Sequence, residues 1–436
     1  MRGIEGALAV LAEVERGAFA AESLRKLWPE IVPTERKLAA TLAYCALRRM
    51  GLWRHLLARY CRRPAESLGQ TTTAVLTAGI AGVLELEHFK PGVLVNALVQ
   101  TVKRETPADV PLVNAVLHTI MDEAPAYIER LRSSAAMRDQ ALAAGVPGWV
   151  AATWGREWGT METKRLLTLV SAETYMTARL SPGVDRDEWM KGCQEYLPSP
   201  SKISSSAVLL GSNPYPPDLP GYAEGLVTPQ GESSIWAVES MLIHWQAGLL
   251  LDMCMGRGVK AGQVLSCCPD AVIEGWDLSA GRLSSAVKEF GRIGVGGRAV
   301  TACGDAASLV PSNSPSAIML DAPCSGSGTW GRHPEGKWRM NPEKLSRMAE
   351  LQKRLFARAA DILPPGGVVM YSTCSIFREE NENVVGSVLA SRQDLVELPI
   401  RLREAAQKRG RPYGVVIFPE SPWLDGFYVA IFRKKR

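Results

Sequence analysis

Histidine is scarce in this chain: His55, His88, His118, His244 and His333 are five in 436 residues, and they lie far apart. None stands at a metal-ligand spacing, so no metal site is expected. No CxxC pair occurs among the nine cysteines, Cys45, Cys61, Cys193, Cys254, Cys267, Cys268, Cys303, Cys324 and Cys374. An odd number without such pairs argues against a disulfide framework and reads as free thiols in a reducing, cytoplasmic setting. Long apolar runs are missing too, each stretch being interrupted well before the about 18 residues that a membrane-spanning helix needs. The N-terminal apolar run carries Glu5, Glu13 and Glu15, which marks an amphipathic helix and not a signal peptide. Charge of one sign does not dominate, the net charge being +5. What remains is ordinary soluble usage, 46% hydrophobic and 22% charged, in a chain long enough for two or three domains.

The distribution of charge says more than its sum. From Arg48 to Arg63 stand six arginines (Arg48, Arg49, Arg54, Arg59, Arg62, Arg63) and no acid, interleaved with Trp53 and Tyr60. Such a run suits phosphate contact and base stacking, and equally suits a solvated helix face. The basic end Arg433–Arg436 reads as a solubilising tail. Over residues 1–140 apolar residues recur at helical spacing, as in Leu8, Leu11, Ala12 and Val93, Ala97, Val102. Breaks are expected at Pro29, Pro33, Pro64, Pro91, Pro107 and Pro125. The expectation is an all-helical domain. Residues 141–235 are mixed, with strands near Ala178–Leu180 and Ala207–Leu210 and a proline-rich loop at Asn213–Pro217, and read as a small α+β connector.

From 236 to 436 the pattern becomes strand–turn–helix. Strands are expected at Gly248–Met253, Ala271–Trp276, Arg298–Cys303, Ser316–Leu320, Gly367–Ser372 and Gly426–Phe432, with helices at Ser279–Phe290 and Pro342–Leu363. Alternation of this kind implies an α/β domain built on a doubly wound, Rossmann-like parallel sheet.

The first turn of that domain, Cys254-Met255-Gly256-Arg257-Gly258-Val259-Lys260-Ala261, matches GxGxxA, with Asp277 ending the second strand. Glycines there let the backbone approach a nucleotide-like ligand, and a strand-end acid accepts from ribose hydroxyls. Asp305 ends the third strand, within reach of an adenine amino group. Taken singly, each acid reads equally well as a helix cap. The match alone does not separate NAD from S-adenosylmethionine. Two later turns do. Asp321-Ala322-Pro323-Cys324-Ser325-Gly326-Ser327-Gly328 follows the fourth strand, and Tyr371-Ser372-Thr373-Cys374-Ser375 the fifth, with Glu380-Asn381-Glu382-Asn383 opening the next helix. Carboxyl ends of neighbouring parallel strands face one crevice, so both cysteines are expected there.

Those residues resemble the RNA 5-methylcytosine methyltransferases of the Sun/NOL family, most closely the bacterial 16S rRNA methyltransferase B type. The DAPCSGxG and STCS segments stand intact. Gln230–Ser234, Arg332–Trp338 and Asp425–Tyr428 are also similar to family segments, and the front helices, with Val113–Leu117, look like a NusB-type RNA-binding domain. The resemblance implies a mostly parallel seven-stranded methyltransferase sheet and S-adenosyl-L-methionine as cofactor. It also implies a monomer that acts on RNA, 16S rRNA free or in an assembling small subunit, without membrane or metal. It makes Cys374 the nucleophile on cytosine C6, with Cys324 assisting release, Asp321 holding the base edge and Lys260 beside them. Cys254, Met255, Gly256, Arg257, Gly258, Lys260, Asp277, Asp305 and Asp321 would line the cofactor. Arg48, Arg49, Arg54, Arg332, His333 and Lys337 would meet RNA. Two rivals are an NAD-dependent oxidoreductase, resting on GxGxxA, and a non-catalytic RNA-binding assembly factor.

The cofactor turn departs from the family's Pro-Gly-Gly-Lys-Thr, reading Arg257-Gly258-Val259-Lys260-Ala261, and His118 replaces a usual arginine. If position 259 required positive φ, valine there would cost roughly 1–2 kcal/mol. Arg257 is then expected to compensate by pairing with the cofactor's carboxylate.

Overall fold

The structure, a computed structural model, describes residues 2–86, 90–402, 407–409 and 412–436. It divides into two compact units, Met1–Ala172 with Trp330–Asn341, and Glu173–Thr329 with Pro342–Arg436. No helix among the described residues is long and apolar enough to cross a membrane.

Up to Ala172 the described residues form ten α-helices: α1 Arg2–Glu15, α2 Ala20–Leu27, α3 Pro33–Arg48, α4 Met50–Tyr60, α5 Gln70–Glu85, α6 Pro91–Glu105, α7 Val110–Ser133, α8 Met137–Ala143, α9 Gly148–Trp158 and α10 Thr160–Leu169. Pro91 opens α6, where its missing N–H would have had no helical partner. The break expected at Pro125 does not occur. The helix α7 continues through it, burying Val113, Val116, Leu117, Ile120, Ala124, Ile128 and Leu131 at three- and four-residue spacing. That continuous apolar stripe outweighs the roughly 3 kcal/mol that an interior proline costs. Pro125 itself points to solvent, where water can satisfy the carbonyl it leaves without a donor.

The segment Trp330–Asn341 belongs to this helical unit, and its alternate charged side chains cap helix ends. Glu335 Oε1 accepts from the N–H of Ala20, the first residue of α2, at 3.1 Å. Lys337 Nζ donates to the carbonyl of Arg48, the last residue of α3, at 2.6 Å, and to Val170, just past α10, at 3.1 Å. Arg339 Nη2 donates to the carbonyls of Val14 and Ala18 at the end of α1. These contacts satisfy orphan backbone groups, and Glu335 at a helix N-terminus and Arg339 at a helix C-terminus do so with the polarity that the helix dipole favours.

The second unit carries two sheets. The small one has strands β1 Thr177–Leu180, β2 Ser199–Pro200, β3 Ala207–Leu209 and β4 Val227–Pro229, antiparallel in the order β2-β3-β1-β4. Ala178, Leu180, Trp189, Cys193, Val208, Leu210, Leu219 and Val227 form its apolar core. The large sheet has β5 Gly248–Asp252, β6 Ala271–Asp277, β7 Ala299–Cys303, β8 Ala317–Asp321, β9 Val368–Thr373, β10 Leu395–Glu397, β11 Gln407–Arg409, β12 Val415–Ile417 and β13 Phe427–Lys434.

Its order is β11-β12-β13-β9-β8-β5-β6-β7, with β10 against β13. Strands β7, β6, β5, β8 and β9 are parallel, and β13 inserts antiparallel beside β9. The seven strands expected correspond to β7 through β12 along this path. Two three-residue strands, β10 and β11, bring the described total to nine, because the chain after Ser391 returns along the antiparallel edge. Strand succession runs β5, β6, β7 in one direction and β8, β9 in the other. The switch falls between β5 and β8, the place where an open α/β sheet leaves a crevice beyond its carboxyl ends.

Candidate active site

Four acids and two thiols gather at those carboxyl ends. Asp252 ends β5, Asp277 ends β6, Asp305 lies two residues past β7, Asp321 ends β8, Cys324 lies three residues past it, and Cys374 follows β9 directly. Backbone pairing brings the two cysteine turns together, since Asp321 stands in register with Ser372 across β8 and β9. The N–H of Gly328 then donates to the Cys374 carbonyl at 2.9 Å. Cys324 Sγ and Cys374 Sγ are 3.4 Å apart. The Cys324 thiol is pushed well up from its ordinary pKa, first by its hydrogen bond to Cys374, then by burial and by the Glu380 carboxylate.

Beside the thiols Lys260 Nζ donates to Asp321 Oδ2 at 2.5 Å, and the second oxygen, Asp321 Oδ1, accepts from Ser372 Oγ at 3.0 Å. Lys260 Nζ also stands 5.6 Å from the centroid of the Phe427 ring. Burial lowers the Lys260 pKa, but Asp321 more than offsets this, so the ammonium is favoured. Asp252 is buried at the foot of β5, and burial with the Asp321 charge raises its pKa to about 8. One of its oxygens, Oδ1, has no hydrogen-bond partner.

The glycine turn after β5 places positive φ on Gly256 (59°) and Gly258 (74°). Gly258 is irreplaceable on two counts, because a Cβ there would also stand 2.7 Å from Phe290 and 2.8 Å from Ala286. Val259 opens the helix Val259–Cys267, and its φ is not positive. The strain that a valine would meet at a left-handed position is therefore absent, and Arg257 has no strain to compensate. Asp277 binds the turn directly: Oδ2 accepts from the Gly256 N–H at 2.9 Å and Oδ1 from the Ser279 N–H at 2.8 Å. Each oxygen keeps a second lone pair. Asp305 Oδ1 accepts from the Ala307 N–H at 2.9 Å and is exposed.

Sequence and structure part company at several residues. The Met255 side chain is buried against Gly275 in the domain core, so only its backbone borders the turn. Burial and the Asp252 charge push the Cys254 thiol far up, which leaves it a neutral lining group. The arginine run is not an unopposed positive face. Arg49 pairs with Glu85 at 2.5 Å, Arg54 with Glu15 at 3.4 Å and Arg63 with Asp109 at 2.6 Å. Arg48 lies over the Tyr44 ring, and Arg59 over Tyr60 and Tyr127. Lys337, expected at RNA, is fully buried with its Nζ on two helix-end carbonyls. His333 is exposed beside Phe19, and Arg332 is half-buried. Sequence reasoning missed Ser325, Ser375 and Glu380, although each cysteine carries a serine on its C-terminal side.

This geometry, a doubly wound sheet with an open glycine turn and paired strand-end cysteines, is that of a methyltransferase. The family of 16S rRNA methyltransferases RsmB/F matches residues 241–433, and the NusB family matches residues 5–122. The ribosomal RNA small subunit methyltransferase B of Thermus thermophilus is 31% identical over 98% of this chain and 96% of its own length. That of Salmonella paratyphi B is 26% identical over 98% and 97%. The crystal structure of PH0851 superposes with a TM-score of 0.83 at 20% identity, covering 99% of this chain and 98% of that one. The chain belongs to the 16S rRNA methyltransferase RsmB/F family and carries a NusB domain in front. That membership sets the oxidoreductase reading of GxGxxA aside.

Proposed function

We propose that the protein transfers a methyl group from S-adenosyl-L-methionine to C5 of a cytosine in 16S rRNA, through an adduct between Cys374 and C6. The observation that carries this reading is the pair of thiols 3.4 Å apart at adjacent strand ends, beside the Lys260–Asp321 ion pair. The residues of the glycine turn suit the cofactor. Apart from Gly256 and its two chain neighbours, no atom lies within 4 Å of where a Cβ on Gly256 would stand. Asp277 keeps lone pairs for ribose hydroxyls, and Leu278 beside it is 76% exposed, an apolar face for adenine. When bound, S-adenosylmethionine supplies an electrophilic methyl group.

The chain's own groups do the rest. Cytosine C5 is a weak nucleophile until a thiolate adds to C6, which is covalent catalysis. Cys374 makes that bond. The C5–C6 double bond opens, and electron density moves to C5 and towards N3. Asp321, oriented by Lys260 and Ser372, holds the N3 edge and favours its protonated form. After C5 is methylated, Cys324 passes its own proton to water and takes the C5 proton in its place, the double bond re-forms, and Cys374 leaves C6 as thiolate. The base must leave its stack to reach both thiols, at a cost of a few kcal/mol. Contacts of the helical unit with RNA offset that cost. The protein works in the cytoplasm, where its substrate is made. Mapping 5-methylcytosine along 16S rRNA at single-nucleotide resolution, with and without the protein, tests the reading. One cytosine should lose its mark, and an unchanged map would overturn it.

A further inference from the structure

Glu380 is fully buried between the two cysteine turns and is the meeting point of their hydrogen bonds. Its Oε1 accepts from the Ser325 N–H at 2.7 Å and from Gln352 Nε2 at 3.1 Å. Its Oε2 accepts from Ser325 Oγ at 2.5 Å. The Ser375 hydroxyl joins this carboxylate by way of Ser325 Oγ. Ser325 directly follows Cys324, and Ser375 directly follows Cys374. The two hydroxyls are themselves 3.2 Å apart, and Ser327 Oγ lies 3.1 Å from Ser375 Oγ while accepting from the Ile376 N–H at 2.9 Å. Behind this, Tyr371 donates its hydroxyl proton to the Glu380 carbonyl at 2.5 Å. Asn381 Nδ2 donates to the Ser375 carbonyl at 2.9 Å, and Asn381 Oδ1 accepts from Thr373 Oγ1.

A buried carboxylate is costly unless its lone pairs are filled. Here three donors fill them, from the Cys324 turn and the helix Pro342–Ile362, and Ser325 Oγ carries the link on to the Cys374 turn. Burial raises the Glu380 pKa, and the serine and glutamine donors pull it back. A neutral amide of the same shape would present an NH2 group to donors, so at least one buried donor would lose its acceptor.

We propose that Glu380 is the positioning residue of the two-cysteine site. Its carboxylate holds Ser325 directly and Ser375 through Ser325, and so sets the separation at which both thiols meet one base. The proposal rests on the two-cysteine reading above. Its negative charge also biases the pair. The groups facing Cys324 include Cys374, Glu380 and Tyr371, and the Glu380 carboxylate is one of the charges that hold the Cys324 proton.

The test compares Glu380→Gln with Glu380→Asp and with the double variant Ser325→Ala/Ser375→Ala, in the whole chain. Iodoacetamide labelling across a pH series, read cysteine by cysteine by mass spectrometry, needs neither RNA nor turnover. With Glu380→Gln the pH midpoint for Cys324 alkylation should fall, because one of the charges that hold its proton is gone. With Glu380→Asp the midpoint should stay near the parent's. Steady-state methylation should show kcat down about 100-fold in Glu380→Gln, as expected for misplaced reacting groups, with KM for RNA unchanged. If Glu380→Gln does not fold, the serine double variant keeps the charge, and should lower kcat with the parental midpoint. An unmoved midpoint in Glu380→Gln, or parental kcat in the serine double variant, overturns the proposal. A parent inactive on every cytosine-containing RNA would instead count against the two-cysteine reading, while the labelling result would still judge Glu380.

Discussion

Replacing Lys337 by methionine should remove a contribution to stability that grows with pH. Burial and the nearby Arg48 and Arg49 charges lower the Lys337 pKa from 10.5 to about 7. In the unfolded chain the same lysine keeps its proton until near its ordinary value. Between about pH 7 and 10 this lysine therefore holds a proton in the unfolded state that it lacks in the folded state, and its contribution to stability rises with pH across that window. Integrating from pH 7 to 9 gives about 2 kcal/mol in favour of the parent's folded state. The variant keeps a flexible apolar chain of similar length but leaves the Arg48 and Val170 carbonyls without Nζ, at roughly 1–3 kcal/mol for each buried acceptor. It should thus be less stable than the parent at pH 9 by several kcal/mol, and the gap should narrow towards pH 7. Urea unfolding of the whole chain at both pH values, followed by tryptophan fluorescence, measures this. The helical unit holds buried Trp53, Trp154 and Trp330 as reporters. A gap that is constant between pH 7 and 9 would refute the argument, and Lys337 would then be charged in the folded protein.

Three further outcomes are expected. Val259→Gly should bind S-adenosylhomocysteine in calorimetric titration as the parent does, because Val259 already has helical φ, while losing about 0.5–1 kcal/mol of stability through backbone entropy. Gly258→Ala should weaken the same titration and lower the melting temperature, since it adds left-handed strain of roughly 1–2 kcal/mol to a clash with Phe290 and Ala286. Replacing Arg54, Arg59 and Arg62 with glutamine should flatten the plot of log affinity against log salt by about 0.7–0.9 for each phosphate no longer neutralised. An unchanged slope would reduce this run to a solvated surface.

What the sequence makes legible is the punctuation of the catalytic half. Strand ends are readable at Asp252, Asp277, Asp321 and Thr373 because each apolar run stops at a polar, glycine- or proline-bearing turn, and a parallel sheet then sends those turns to one side. Contacts across long sequence separations are not readable. Glu335, Lys337 and Arg339 cap helices 167 to 325 residues earlier, and a charged segment seen alone looks like a surface. The acids opposing Arg49, Arg54 and Arg63 come from α5, α1 and the turn before α7, so a local count of charge overstates the positive face. Pro125 misleads when its cost is weighed without the apolar stripe that α7 buries on either side of it. Glu380 stands in plain view in Glu380-Asn381-Glu382-Asn383. Its position between two serines depends on the register of β8 with β9, which no local pattern specifies. The strain expected at Val259 assumes that the turn's second positive φ falls one residue later than it does.

The most direct test of the account is a denaturing gel of Cys324→Ala and Cys374→Ala after incubation with substrate RNA and S-adenosylmethionine. Cys324→Ala should accumulate a band of protein covalently joined to RNA, because Cys374 adds to the base but release is slowed. Cys374→Ala should give no such band and no methyl transfer, while still binding S-adenosylhomocysteine. An RNA-shifted band from the Cys374 variant alone would contradict the account and reverse the two roles.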